Sequence, residues 1–427
     1  MMKSISSLFL KTFVCAFVML FNCAKASDLN NLLLMNVDIV DVENAELLKD
    51  QNILIGDGKI LKISADPSGL REAAKHHLDL SGYTVTPGLF DMHVHNATSP
   101  SGYDSLDDVK KRLRFLLRHG VTGIRDMAGD VRQLAYLSRM ALIDEIDSPN
   151  IYYSALMAGE TFFDDPRTHA STAGLTAGQV PWMKAVSNTT DYALAVAQAI
   201  GTGASGIKLY ADLTAEQAGE VISEARRQGI PSWGHAAILP AKPHELVDAG
   251  ITSMSHASLL AWSSTDKGTG TGKERYSDFA IDTDASMFKQ MISSMVEQSI
   301  YLDATINTFK DHKSKNVYQN GIAAAKAAYT AGVPFLVGTD SGVDYSQPYP
   351  PIVDEMMALH EEVGLTPIDV IKAATIHAAK LLKIEQSVGS LSEGKQADLV
   401  ILNSNPLNDL NAFKSVVMTI KNGRIIQ

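Results

Sequence analysis

Cysteine is nearly absent from this 427-residue chain. The two that exist, Cys15 and Cys23, both fall in the first 26 residues. That stretch carries Lys3 and Lys11, then an apolar run from Phe13 to Phe21, then Ala24-Lys25-Ala26. A basic start, a short hydrophobic centre and an A-x-A exit predict a secretory signal peptide over residues 1–26, cut before Ser27. The expected location is therefore periplasmic or secreted. The alternative is a lipid anchor through Cys23, which Asn22 fits poorly. Cleavage would leave no thiol, and so no cysteine nucleophile, no Cys-zinc knuckle and no disulfide.

Positive charge is also scarce. The formal net charge is -11, and losing Lys3, Lys11 and Lys25 with no acid takes it to about -14. No basic stripe is present, so nucleic acid is not an expected partner. The leader's apolar run is too short for a stable membrane span, and no second run follows. No G-x-S-x-G nucleophile elbow occurs. Gly201 to Gly206, GTGASG, fits the dinucleotide fingerprint in letters only. It follows a helical stretch and leads into a strand, the reverse of the required order. Gly268 to Lys273, GTGTGK, has Lys267 and Glu274 where a phosphate loop needs Gly and Ser or Thr.

What is present has two textures. From Leu32 to about Ser64, apolar runs alternate with turns, and Gly56-Asp57-Gly58 reads as a hairpin tip. The same texture returns at the other end, with an Asn422-Gly423 turn. The two ends are expected to pair into one β-domain, residues 27–85 with 385–427. Between them, over 86–384, short apolar strands alternate with amphipathic helical stretches such as Thr214–Gln228 and Ile322–Ala331. Strands are expected at Thr86–His93, Gly123–Asp126, Ile151–Leu156, Gly206–Tyr210, Pro231–Gly234, Ser253–His256, Tyr301–Ala304 and Phe335–Gly338. Eight βα units predict an α/β fold, a (β/α)8 barrel, whose chemistry sits at the C-terminal strand ends.

The polar residues at those ends are specific. His93 and His95 are two apart, so both face the barrel mouth. Lys208 sits in the fourth strand, and His235, His256 and Asp340 end the fifth, sixth and eighth. Any one of them alone would read as an ordinary hydrogen-bonding residue or turn cap. Together, in order, they read as a metal site. A lysine inside a barrel strand is costly to bury, and desolvation favours its neutral amine. Such an amine can add carbon dioxide and become a bridging carbamate. The bland alternative for Lys208 is an ion pair with Asp126. The stretches Ala97–Tyr103, Met157–Trp182, Ala261–Thr283 and Ser341–Pro351 should overhang the mouth and shape a small-molecule pocket. Tyr210 and His169 are candidate substrate contacts. His119, His244, His360 and His377 are read as helix residues without a chemical role.

PGLFDMHVH, IKLY, GHA, SHAS and GTD, in that order, resemble the amidohydrolase superfamily, as does Gly389 to Leu407, GSLSEGKQADLVILNSNPL. The likeness is greatest to its imidazolonepropionase-like and Xaa-Pro-dipeptidase-like members. It implies a metal-dependent (β/α)8 barrel with a small β-sandwich assembled from both chain ends, and two divalent metal ions, zinc in the first instance. His93, His95 and Asp340 would hold one ion and His235 with His256 the other, with N6-carboxylysine at Lys208 between them. A hydroxide shared by the two ions would attack a carbonyl, and Asp340 would shuttle its proton. The implied activity is hydrolysis of a carbon-nitrogen bond in a dipeptide or N-acyl amino acid. Alternatives are a phosphotriester or lactone hydrolase on the same site, a mononuclear deaminase, and a non-catalytic exported binding protein. The deaminase is disfavoured because AAILP follows His235, and Glu245 lies too far downstream. A homo-oligomer is compatible with such a barrel.

Overall fold

The computed structural model describes residues 31–97, 105–267, 270–271, 274–276 and 279–426. The expected leader, with both cysteines, lies outside the described residues, as does most of the overhanging stretch that begins at Ala97. The chain forms two sheets.

The outer sheet is built from both chain ends. Its N-terminal strands are β1 (Leu32–Asp41), β2 (Glu46–Gly56), β3 (Lys59–Ser64), β4 (His76–Asp79) and β5 (Thr84–Pro87). The barrel strands are β6 (Leu89–Val94), β7 (Val121–Asp126), β8 (Asn150–Gly159), β9 (Gln179–Val180), β10 (Met183–Val186), β11 (Gly206–Leu209), β12 (Ser232–His235), β13 (Ser253–Ser255), β14 (Tyr301–Asp303) and β15 (Phe335–Leu336). The chain then returns to the outer sheet as β16 (Leu399–Leu402), β17 (Val416–Lys421) and β18 (Arg424–Ile426). The outer order is β18-β17-β16-β5-β1-β2-β3, with β4 beside β1. Its apolar face, including Leu34, Ile53, Leu399 and Ile420, forms a separate core.

Two short turns join the ends. Asp57 and Gly58 both have positive φ, as do Asn422 and Gly423, the arrangement that two-residue hairpins favour. The two tips touch: a Cβ on Gly423 would lie 3.1 Å from the Gly58 Cα.

The expected strand Thr86–His93 divides at Gly88. Residues up to Pro87 pair with β1 and β16, whereas Leu89 onward pairs with β7. Gly88 is where the chain changes sheets, and a Cβ there would meet Thr122 Oγ1 at 2.1 Å. The other barrel strands fall at the expected places. Eight of them, β6, β7, β8, β11, β12, β13, β14 and β15, run parallel in a nearly closed barrel. The seam between β15 and β6 is bridged by Met92 N–H to the Val337 carbonyl at 2.8 Å and Asp340 N–H to the His93 carbonyl at 2.8 Å.

Helices cover the outside. Ala215–Arg227 begins with a Thr214/Gln217 capping box, which satisfies backbone groups that the first turn leaves open. The helix expected at Ile322–Ala331 begins earlier, at Lys315. Gly321 lies inside it, where a Cβ would meet Ile306 Cδ1 at 3.6 Å and the Ser258 nitrogen at 3.7 Å. Gly201 ends a helix and Gly206 begins β11, so GTGASG joins helix to strand. No helix among the described residues is long and apolar enough to cross a membrane.

Candidate metal centre

Strand pairing brings the six singled-out residues to one end of the barrel. His93 lies in β6 and His95 just beyond it, Lys208 in β11, His235 at the end of β12, His256 after β13, and Asp340 four residues past β15. His256 and Asp340 both have left-handed backbone, with φ 71° and 46°. Such conformations cost about 1–3 kcal/mol and persist only where neighbours over-determine them. Here His256 N–H donates to the Asp303 carbonyl at 2.9 Å, and Thr308 Oγ1 donates to the Asp340 carbonyl at 2.9 Å. The bends turn both side chains into the mouth.

Asp340 is the hub. Its Oδ1 lies 3.3 Å from His95 Nε2 and 3.8 Å from His93 Nε2, and its Oδ2 lies 4.0 Å from His256 Nδ1. Donor atoms of His93, His256 and Asp340 all fall within 4.8 Å of one another. The His235 and His256 rings are 4.3 Å apart, and the His93 and His256 rings 5.0 Å.

Four buried atoms at this centre make no hydrogen bond: His93 Nε2, Lys208 Nζ, His235 Nδ1 and His256 Nε2. Buried polar groups are seldom left unpaired, so four such nitrogens at one barrel end, with His93 and His256 beside the Asp340 carboxylate, fit a cation. The donor set of four imidazoles, a carboxylate and an amine able to become a carbamate suits divalent ions with borderline-soft character. His93, His95, Lys208, His235, His256 and Asp340 are the residues that could hold them. Asp126 is not the amine's hydrogen-bond partner; its Oδ2 accepts the Asn96 N–H at 2.6 Å.

Burial and charge set the protonation states. Burial lowers His93, and it holds His235 and His256 well below the usual imidazole range. Neutral imidazole is the ligating form. Partial burial also opposes charge on His95, but the hydrogen bond to Asp340 and the negative charges of Asp340 and Asp126 together raise it. Burial would raise Asp340, yet His93, His95 and His256 hold its carboxyl well below the usual range. Burial, then Arg125, pushes the Lys208 amine down to about 7.

A layer beneath the ligand candidates escaped the sequence reading. Asp303 Oδ2 accepts from His93 Nδ1 at 2.7 Å and from Ser255 Oγ at 2.9 Å, with Arg125 Nη2 at 3.5 Å. Arg125 is fully buried, donates to the Met92 carbonyl at 2.7 Å and to Ser253 Oγ at 3.0 Å, and lies over Trp233. Asp91 accepts from Thr339 Oγ1 at 2.8 Å, tying β6 to the turn that carries Asp340. The available signal was a charged residue in or ending an otherwise apolar strand, in GIRDM and in YLDA.

The centre opens into a cavity of about 350 Å³. Tyr210 lines it, its ring 4.3 Å from that of His235 and 4.5 Å from that of Phe162. His169 does not line it. It is exposed on the short helix Pro166–Ser171, whose turn directs Arg167 and Thr168 inward instead. His119, His244, His360 and His377 lie at or in helices away from the cavity wall.

Residues 84–426 match the profile of the amidohydrolase family. Among curated proteins, an ochratoxinase of Aspergillus niger is 24% identical over 80% of this chain and 75% of its own. An imidazolonepropionase of Streptococcus sanguinis is 22% identical over 90% of this chain and 94% of its own. Among solved structures, a Xaa-Pro dipeptidase with bound methionine in its active site shares 21% identity with a TM-score of 0.72. That match covers 93% of this chain and 99% of that one.

Proposed function

Because the chain belongs to the amidohydrolase family, and is therefore an enzyme of the hydrolase class, we propose that it cleaves the carbon-nitrogen bond of a small amide, either a dipeptide or an N-acyl amino acid. The observation that carries this reading is the set of four buried, unpartnered nitrogens at the barrel mouth, where donor atoms of His93, His256 and Asp340 lie within 4.8 Å of one another. Two divalent ions, zinc in the first instance, would polarise the scissile carbonyl and acidify the attacking water when bound there. We assign His93, His95 and Asp340 to one ion, His235 and His256 to the other, and a carboxylated Lys208 to the bridge.

The chain's own residues supply the rest. Asp340 is ionised and faces the cavity, so a carboxylate oxygen can take the proton of the attacking water. The same oxygen returns that proton to the departing amine, and the products are one carboxylic acid and one amine. His95 Nε2 lies 3.3 Å from Oδ1, close enough for both to reach one ion. Asp303 holds His93 by Nδ1, which leaves Nε2 directed at the centre.

A mononuclear deaminase is disfavoured. Glu245 Oε2 accepts the Lys242 N–H at 2.7 Å as part of a helix cap, and Glu245 does not line the cavity. We also propose export, with Ser27 as the new N-terminus; intact-mass measurement of the purified protein tests it.

The test of function is to count bound transition metal per chain by plasma mass spectrometry and then screen dipeptides and N-acyl amino acids. About two ions with amide turnover is the expected result. About one ion with ammonia release from amino-heterocycles would replace this reading by the deaminase. Two ions with turnover confined to lactones or phosphotriesters would replace the substrate class alone.

A further inference from the structure

The cavity lining is chemically mixed. Met127, Leu156, Phe162 and Met183 are apolar. Arg167 and Arg275 are cationic. These two cations are not equivalent. Arg167 is already bound by Asp165, with Nε to Oδ1 at 3.0 Å and Nη2 to Oδ2 at 2.8 Å, and its Nη2 also donates to Tyr210 Oη at 3.2 Å. Arg275 Nη1 is buried and makes no hydrogen bond.

Arg275 is nevertheless held in position. Its backbone carbonyl accepts Trp262 Nε1–H at 2.7 Å, and Trp262 is buried. Its guanidinium lies 4.8 Å from the centre of the Tyr210 ring, over a face that favours a cation. Charge on Arg275 is felt at His235, His256 and Lys208, so it faces the reactive end of the cavity. A fixed, planar cation with an unused buried donor is suited to accept a carboxylate.

We propose that Arg275 anchors the free carboxylate of the substrate. The amide is thereby limited to molecules with a carboxylate near the scissile bond and an apolar remainder against Met127, Leu156, Phe162 and Met183. This inference rests on the amide-hydrolase reading and names which amides the site selects. Arg275 is a specificity residue that touches substrate, and it takes no part in proton transfer.

The test uses the metal-reconstituted full chain. Apolar N-acetyl amino acids and their uncharged C-terminal amides are compared on the wild type, Arg275→Met and Arg275→Lys. Arg275→Met should lower kcat/KM for the free acids by about 10- to 150-fold, the range for losing one charge-assisted hydrogen bond. It should leave the uncharged amides within about threefold, and Arg275→Lys should fall between. Equal losses on acids and amides, or none on either, overturn the anchor. Calorimetric binding of the same acids and amides separates this result from the function itself. If nothing is hydrolysed, the amide-hydrolase reading fails. The anchor then stands on acid binding that weakens in Arg275→Met, and falls if acids bind both proteins alike.

Discussion

His93 and Asp303 form a pair in which neither side chain is exposed, Nδ1 lying 2.7 Å from Oδ2. The carboxylate fixes which imidazole nitrogen faces the centre, the usual role of an acid behind a ligating histidine. The fit is tight, since a Cβ on Gly338 would lie 2.2 Å from Asp303 Oδ1 and 2.7 Å from the His93 Cβ.

Asp303→Asn should therefore weaken metal retention by about 10- to 100-fold, read as the chelator concentration that strips half the metal. It should also lower the melting temperature. Arg125 would lose its buried counter-charge, a loss worth about 3–5 kcal/mol when one partner of such a pair is removed. Wild-type metal retention in this variant would show that Asp303 serves packing alone.

Much of the centre was legible because each of its residues interrupts an apolar strand end locally. HVH, IKLY, GHA, SHAS and GTD each carry their signal within five residues. Asp303 and Arg125 showed only a charge in an apolar strand; their roles lie in partners far along the chain, His93 and Asp303 respectively. Arg275 was hidden differently. It sits in a Ser/Thr/Gly-rich insertion whose composition reads as a solvated loop, and only the fold places it against Tyr210. His169 misled because its short helix shows a different face to the cavity. The outer sheet was legible from two turns, but the division at Gly88 depends on β5 pairing with β16, over 300 residues away.

Glu355 makes stability depend on pH. It is buried and accepts N–H groups of Ile306 at 2.9 Å and Asn307 at 2.7 Å. Burial pushes its carboxyl from 4.5 up to about 8 despite those bonds. An acid raised on folding is bound to its proton more tightly in the native chain than in the unfolded one. Its contribution is fully present below about pH 4.5 and is lost as pH rises towards 8. The slope from this one group approaches about 1.4 kcal/mol per pH unit. Glu355→Gln mimics the protonated form and should flatten the loss of stability across that window. Denaturant unfolding at a series of pH values reads it, and an unchanged slope in the variant would assign the dependence elsewhere.

Lys208 carries the sharpest prediction. Its amine is fully buried, charge on it is felt at His93, His95, His235 and His256, and Nζ has no hydrogen-bond partner. A charged ammonium left so would be costly, whereas a carbamate would carry two oxygens into the same space. Lys208→Ala should lower metal content and reduce activity by more than about 100-fold, beyond the loss expected for an outer partner. A short-chain carboxylic acid added to Lys208→Ala should restore part of both, because its oxygens occupy the vacated bridge. The same acid should do nothing for Asp303→Asn, where the missing group is behind His93 rather than at the proposed bridge. Loss without rescue would leave Lys208 as a plain amine ligand or a packing residue. An unaffected Lys208→Ala enzyme would remove it from the centre altogether.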